Sequence, residues 1–200
     1  MTPQKLMEAF INDTKKTHTY DVHPTGLICG KNTIGGGAHG LVALYGDQSG
    51  ETFTGERNAY QKLFEQEDAL TTPMVKIEYS ECKEIIAVIK DWSKNWKSLG
   101  LENARKFPVR LENIDGKLSV NPQRVIDNDE MKHFEAQTVD NDVSIYFRAD
   151  LLKKTLETVK RGSSITMNVD NNCNVKRPLL RPAVFKSDNW AALIAPLRVW

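Results

Sequence analysis

The sequence predicts an α+β protein made of two strand-helix-strand units, with helices on one face and a continuous sheet on the other. Three observations lead there. Apolar residues alternate in two short runs, Val75, Ile77, Tyr79 and Val143, Ile145, Phe147, which is the period of a half-buried strand. Each run is followed at once by an apolar pattern of helical period, and the second cycle repeats the first at an offset of 68 residues, from Val75 to Val143. Such a unit alone leaves one helix stripe and one sheet face uncovered, so two must pack together.

Taken in order, Pro3 to Thr17 places Leu6, Met7, Phe10, Ile11 and Thr14 at helical spacing, with Pro3 suited to the first turn. A small meander is expected next, from the β-prone runs Thr19 to Val22, Gly26 to Cys29 and Leu41 to Tyr45. Pro24, Gly30 and the Gly35-Gly36-Gly37 cluster separate them. Asp47 to Thr72 is polar and carries Gly50 and Gly55, ahead of Pro73; apart from some apolar character between Tyr60 and Phe64 it reads as a linker. Residues 1–72 and 73–200 are therefore expected to form two parts, the second a complete domain.

In that second part the strand from Met74 leads into a helix with Ile85, Ile89, Trp92 and Trp96 on one face. At the helical angle per residue, Lys83, Lys90, Lys94 and Lys97 share the opposite face, within roughly 60° of one another. Val109 to Glu112 and Lys117 to Val120 form a hairpin across Asn113, Asp115 and Gly116. The second cycle has its strand at Val143 to Phe147 and Asp150 as N-cap. Its helix is marked by Leu151, Leu152, Leu156 and Val159 and ends near Gly162. Ile165, Met167 and Val169 alternate again, and a closing strand runs from about Trp190 to Val199.

The composition narrows the function classes. With 200 residues, 40% hydrophobic and 26% charged, the chain has material for one or two globular domains. Apolar stretches such as Ala191 to Ala195 are too short to cross a bilayer, and the N-terminus lacks a signal-peptide pattern, so no membrane partner and a cytoplasmic location are expected. Cys29, Cys82 and Cys173 are widely spaced, without a CxxC pair, and read as small packed thiols. A net charge of +1 does not advertise a polyanionic partner, so any nucleic-acid contact depends on local clustering.

Two lysine-studded helices in a duplicated unit resemble the repeating domain of the bacterial DNA polymerase III beta subunit, the sliding clamp. The segments Val143-Ser-Ile-Tyr-Phe, Asp150-Leu-Leu-Lys-Lys-Thr-Leu-Glu-Thr-Val and Leu193-Ile-Ala-Pro-Leu-Arg-Val are similar to the last repeat of that family. Its chains end in an apolar-apolar-Met-Pro-Met-Arg-Leu pattern, and here Ala195 and Leu197 stand where methionines are usual. Phe107-Pro-Val-Arg-Leu with Gly116-Lys-Leu-Ser-Val resembles the first hairpin of the third domain. Gly36-Gly-Ala-His-Gly-Leu-Val and Thr54-Gly-Glu-Arg-Asn-Ala-Tyr-Gln-Lys-Leu resemble second-domain motifs, with Gly40 in place of an arginine and Asn58 in place of a proline. The resemblance implies a DNA-clamp fold, with 1–72 a shortened remnant of the second domain plus linker and 73–200 the third.

It also implies sites and partners. A peptide pocket at the domain junction would comprise His39, Leu41, Lys62, Leu63, Ala195, Pro196, Leu197 and Arg198, receiving short linear peptides of a DNA polymerase and clamp loader. Read from spacing alone, these residues equally suit an ordinary edge strand. Double-stranded DNA would be met without base reading by Lys83, Lys90, Lys94 and Lys97 on one helix and Lys153, Lys154, Lys160 and Arg161 on the other. Without the resemblance these are solvated helix faces.

Enzymatic patterns are weak. The glycines of the Ile34 to Gly40 loop precede no Gly-Lys-Ser/Thr, and His18, His23, His39 and His133 lack metal-ligand spacing. Asp127, Asp129 and Glu130 sit in a polar connector that favours solvation. No catalysis, metal or cofactor is expected. Two readings remain: a ring-forming, homo-oligomeric clamp that serves as a processivity factor, and a clamp-derived, non-encircling protein, such as a phage or plasmid factor, that recruits or sequesters replication proteins.

Overall fold

The two cycles are present, and each donates its first strand to the other. A computed structural model of the chain describes residues 1–17, 26–29, 32–37, 40–44, 56–98, 107–114, 117–122, 132–135, 143–170 and 181–197. The first cycle is β4 (Thr71–Glu78), α3 (Tyr79–Ser98), β5 (Pro108–Ile114), β6 (Lys117–Pro122) and β7 (Lys132–Glu135). The second is β8 (Val143–Arg148), α4 (Ala149–Leu156), β9 (Ser164–Asp170), β10 (Ala183–Ser187) and β11 (Trp190–Ile194). Ahead of them run α1 (Pro3–Thr17), β1 (Gly26–Cys29), β2 (Asn32–Gly37), β3 (Gly40–Leu44) and α2 (Glu56–Ala69).

The continuous sheet expected from the repeat is in fact two sheets. One has the order β7-β6-β5-β8, the other β1-β2-β3-β11-β10-β9-β4. In each, the three strands that follow a helix are completed by the first strand of the other unit. Thus β4 pairs antiparallel with β9, placing Ile77 opposite Ile165, and β8 pairs antiparallel with β5, placing Phe147 opposite Val109. The exchange explains why neither unit is self-sufficient: its first strand finds backbone partners only in its twin. The helices begin at Tyr79 and Ala149, 70 residues apart, a spacing two longer than the strand patterns suggested.

Apolar alternation sorts the core. Met167 and Phe185, with Ala192 and Ile194, face a large cluster that includes Ile85, Ile89, Leu151 and Leu152 of the helices. Val184, Ala191 and Leu193 point to the opposite face of the same sheet, where with Ala43 they meet Phe64 of α2. A residue shift between Pro73 and Val75 lets Met74 and Val75 both turn inward, a bulge that also places the exposed proline where no ladder donor is needed.

Other expectations change in detail. The stretch read as a linker contains α2, whose Glu67 and Asp68 are held by Arg181 (3.4 Å) and Lys186 (2.6 Å) beside the sheet. The Gly35-Gly36-Gly37 cluster, read as a break and as part of a loop, is strand β2 instead. Its register with β3 pairs Gly36 with Leu41 and Gly37 with Gly40, because extended backbone needs only partners for its ladder, not side chains. Gly40 has a packing reason: a Cβ there would lie 2.5 Å from the Phe10 ring and 2.9 Å from the Leu193 carbonyl oxygen. Tyr79 begins α3 rather than ending a strand. Strands β7 and β10 had no alternating signature strong enough to be read. Thr19 to Val22 lies outside the described residues.

At the start of α4 the N-cap is Arg148, not Asp150. Asp150 sits in the first turn, where Arg148 Nη2 and Nε donate to its carboxylate at 2.8 and 3.1 Å. The helix stops at Leu156 rather than near Gly162, since Thr158 Oγ1 donates to the Thr155 carbonyl at 2.6 Å and the chain turns there. Gly162, at φ 83°, serves a separate turn in which Ser163 N–H donates to the Lys160 carbonyl at 3.0 Å. The closing strand ends at Ile194; residues 195–197 leave the sheet, and Leu197 N–H donates to the Tyr146 carbonyl at 2.7 Å. No described helix is long and apolar enough to cross a membrane.

Candidate nucleic-acid and partner-binding surfaces

The apolar face of α3 is inward, as its spacing requires. Ile85, Ile89 and Trp92 are buried, and Trp96 stacks on Phe107 with centroids 5.0 Å apart. Its start is held by Glu81, whose carboxylate accepts the Glu78 N–H at 2.6 Å. That arrangement leaves Lys83, Lys90, Lys94 and Lys97 exposed. On α4 and the turn after it, Lys153 and Lys154 are half-buried and Lys160 and Arg161 exposed.

The basic residues named from sequence converge on two adjoining grooves. The larger, about 860 Å³, lies between α1, α3 and the start of α4. It is lined by Lys90, Lys94, Lys153 and Lys154, with the carboxylates Asp91 and Asp150. The smaller, about 630 Å³, lies between the first half of α3 and the end of α4, and Lys83, Lys90, Lys160 and Arg161 line it beside the single carboxylate Glu157. Each of these carboxylates is engaged: Asp91 with Lys94 at 3.1 Å, Asp150 with Arg148 at 2.8 Å and Glu157 with Lys153 at 3.9 Å. Lys83 lies over the Tyr79 ring, 5.6 Å from its centroid. Basic side chains outnumber carboxylates in both grooves, four to two in the larger and four to one in the smaller, although the chain is almost neutral. Lys97 lines neither groove.

Sequence reading missed two contributors, Ala9 and Asn12 of α1, which wall the larger groove. Nothing in their residue types could have revealed this, since it depends on how α1 lies across β2, β3 and α4. Cys82 lines the smaller groove but is buried, and desolvation, then Glu81 and Glu78, push its thiol up to about 12. It is a packing residue, in line with its reading from sequence. Among the described residues no group of three or more His, Cys, Asp and Glu side chains is disposed around a common point for a metal.

The residues assigned to the peptide pocket are gathered at one place only in part. Leu41 pairs with Leu193 in the β3–β11 register, so its backbone lies beside the Phe64 cluster. Leu63 precedes Phe64 on α2 and is 42% exposed. Ala195, Pro196 and Leu197 are half-buried. The side chain of Lys62 and the residues His39 and Arg198 lie outside the described residues, as do Asp127, Asp129 and Glu130. Phe64 was missed as the residue that closes this apolar patch; the apolar character of Tyr60 to Phe64 was its only signal. Tyr146, which accepts the Leu197 N–H, was missed because a backbone acceptor carries no side-chain signature.

No family model matches the chain. In sequence it is 31% identical over 96 residues to ribonuclease H of Alcanivorax borkumensis, covering 45% of this chain and 64% of that protein. In structure the whole chain superposes on sliding-clamp subunits. The DNA polymerase III beta chain of Streptococcus pneumoniae matches with a TM-score of 0.59 at 14% identity, over 100% of this chain and 64% of that one. A putative beta subunit from Eubacterium rectale gives 0.58 at 13%, and the Caulobacter crescentus pol III beta 0.57 at 10%, each over 100% of this chain and 65% of the other. The mixed α+β architecture is thus that of the beta clamps, of whose length the chain spans 64–65%.

Proposed function

We propose that this protein, which has the fold of the DNA polymerase III beta sliding clamps, binds double-stranded DNA without reading its sequence and docks replication proteins through short linear peptides. The observation that carries this reading is electrostatic: basic residues of both repeated helices line two contiguous grooves, and every carboxylate among them is engaged by a cation. Phosphate recognition needs only such a field and donors free to reach the backbone, and no base-specific geometry. Peptide docking has thinner support: Leu63 is exposed beside Phe64 of the second apolar cluster, and the Ala195-Pro196-Leu197 segment that follows β11 is half-buried.

In this reading residues 1–72 are a shortened second clamp domain and 73–200 a complete one, the activity is binding without catalysis or cofactor, and the site of action is the cytoplasm. The non-encircling alternative is favoured by one internal feature. Only residues 45–55 separate β3 from α2, too few for another strand-helix unit of the kind seen twice later in the chain.

Retention on DNA decides between them. A ring should sediment as an oligomer and remain on nicked circular DNA while sliding off the same DNA once linearised. A monomer that binds a clamp-binding peptide yet never stays on circles would leave the non-encircling reading standing. Leu197→Asp is expected to abolish peptide binding in either case, and undiminished binding would remove the pocket assignment. The sequence similarity to a ribonuclease H adds one control: release of RNA fragments from an RNA–DNA hybrid by purified protein would overturn the non-catalytic reading.

A further inference from the structure

Resting on that DNA reading, we infer that the two grooves are symmetry-related copies of one phosphate-tracking element, one for each strand of a single duplex. Groove membership shows the symmetry. The larger joins the second half of α3 to the first half of α4; the smaller joins the first half of α3 to the end of α4. The helices therefore run antiparallel, and exchanging them exchanges the grooves. This is the same local two-fold operation that swaps β4 and β8 between the two sheets.

Two of the lysines in each groove obey the operation too. With the helix starts Tyr79 and Ala149 superposed, Lys83 falls on Lys153 and Lys90 on Lys160. The Lys90–Lys153 pair of the larger groove thereby becomes the Lys160–Lys83 pair of the smaller. Ion-pairing for stability alone would not call for basic residues repeated in this way, since exposed pairs are worth little. A double helix supplies the matching partner. Its two strands are antiparallel and related by two-folds perpendicular to the axis, a symmetry that a single strand, a peptide or an isolated phosphate lacks. The symmetry of charge is confined to these two pairs: Arg161 corresponds to Asp91, Glu84 to Lys154 and Ser164 to Lys94, and α1 walls the larger groove alone, so the smaller groove has the greater excess of cations.

The test uses the full chain and residues unique to each groove. Lys94→Gln with Lys154→Gln weakens the larger groove, and Lys160→Gln with Arg161→Gln the smaller. Unchanged circular dichroism and melting establish that both variants fold. On a 20-base-pair duplex, each double variant is expected to reduce the slope of log affinity against log salt by up to about 2, and the quadruple variant by the sum. Wild-type protein should show a shallower slope on a single strand of the same sequence. If wild-type protein binds the duplex but only one groove's variants change the slope, the two-strand inference is overturned and DNA binding survives. If it binds no DNA at all, both fall.

Discussion

In the first unit the helix runs for 20 residues, from Tyr79 to Ser98; in the second it stops after 8, at Leu156. With their starts superposed, Cys82, Ile85, Ile86 and Ile89 correspond to Leu152, Thr155, Leu156 and Val159, and all of these are buried. Val159 keeps its place although the helix has already ended. Beyond that point the first unit continues through Trp92 and the Trp96–Phe107 stack, while the second turns at Gly162 into β9. The shared positions are those through which the units meet. The overhang is free to differ, and it carries Lys94 and Lys97, which have no helical counterparts in α4.

The exchanged strands imply that the halves unfold together, and the largest predicted effect tests this. Phe147 of β8 is fully buried and meets Phe185 edge-on at 5.7 Å; Ile77 is its equivalent on β4. Phe147→Ala should cost about 3–5 kcal/mol and Ile77→Ala about 2–5 kcal/mol in urea titrations, from lost burial and the cavity left behind. Both should shift one transition seen identically by tryptophan fluorescence and far-ultraviolet circular dichroism. Two separated transitions would mean that the units are independent despite sharing strands.

The same comparison shows what the sequence could reveal. The strands at Val75 and Val143, both helices and the Asn113–Gly116 hairpin were legible because each has one face against the core and one away from it, which writes a period into the residues. The two-sheet arrangement was not legible, since alternation says which face a strand buries but not which strand lies beside it. Strand β2 was hidden by its glycines, and β10 by its brevity: three buried residues, Ala183, Val184 and Phe185, serve both faces in succession. Of the site, the lysines were legible as a helix face. Their division between two grooves was not, because it depends on the relative direction of α3 and α4. The peptide pocket was named from resemblance; in the structure Leu41 pairs with Leu193 between β3 and β11, Leu63 is exposed next to Phe64 on α2, and Leu197 is hydrogen-bonded to Tyr146 of the other sheet.

The entries to the two helices offer a sharper contrast. Arg148 and Asp150 form a bidentate pair with side chains 7% and 15% exposed, whereas Glu78, the equivalent of Arg148, pairs with Lys76 at 2.9 Å and both are about half exposed (53% and 49%). Arg148→Ala strands the carboxylate of Asp150 in a largely dehydrated place and should cost about 3 kcal/mol. Glu78→Ala should cost less than about 1 kcal/mol, because water and salt already screen that pair. Thermal melts at matched pH check this. Equal losses would show that the helix entries are held alike and that burial of the Arg148 pair adds nothing.

The smallest predicted effect comes from the position where the units differ by a thiol, Cys82 in the first and Leu152 in the second. Burial raises the Cys82 thiol from its ordinary value of 9.0 to about 12, with Glu81 and Glu78 adding to the shift. The folded chain therefore holds this proton across a pH range in which the unfolded chain releases it. The stability linked to the thiol is complete below pH 9 and declines as pH rises toward about 12. Cys82→Ala removes that dependence while lowering stability at every pH by its loss of volume. Between pH 9 and pH 10 the wild-type chain should lose about 1 kcal/mol more than the variant in urea titrations. Parallel losses would assign the alkaline sensitivity to other groups and leave the two units alike in this respect.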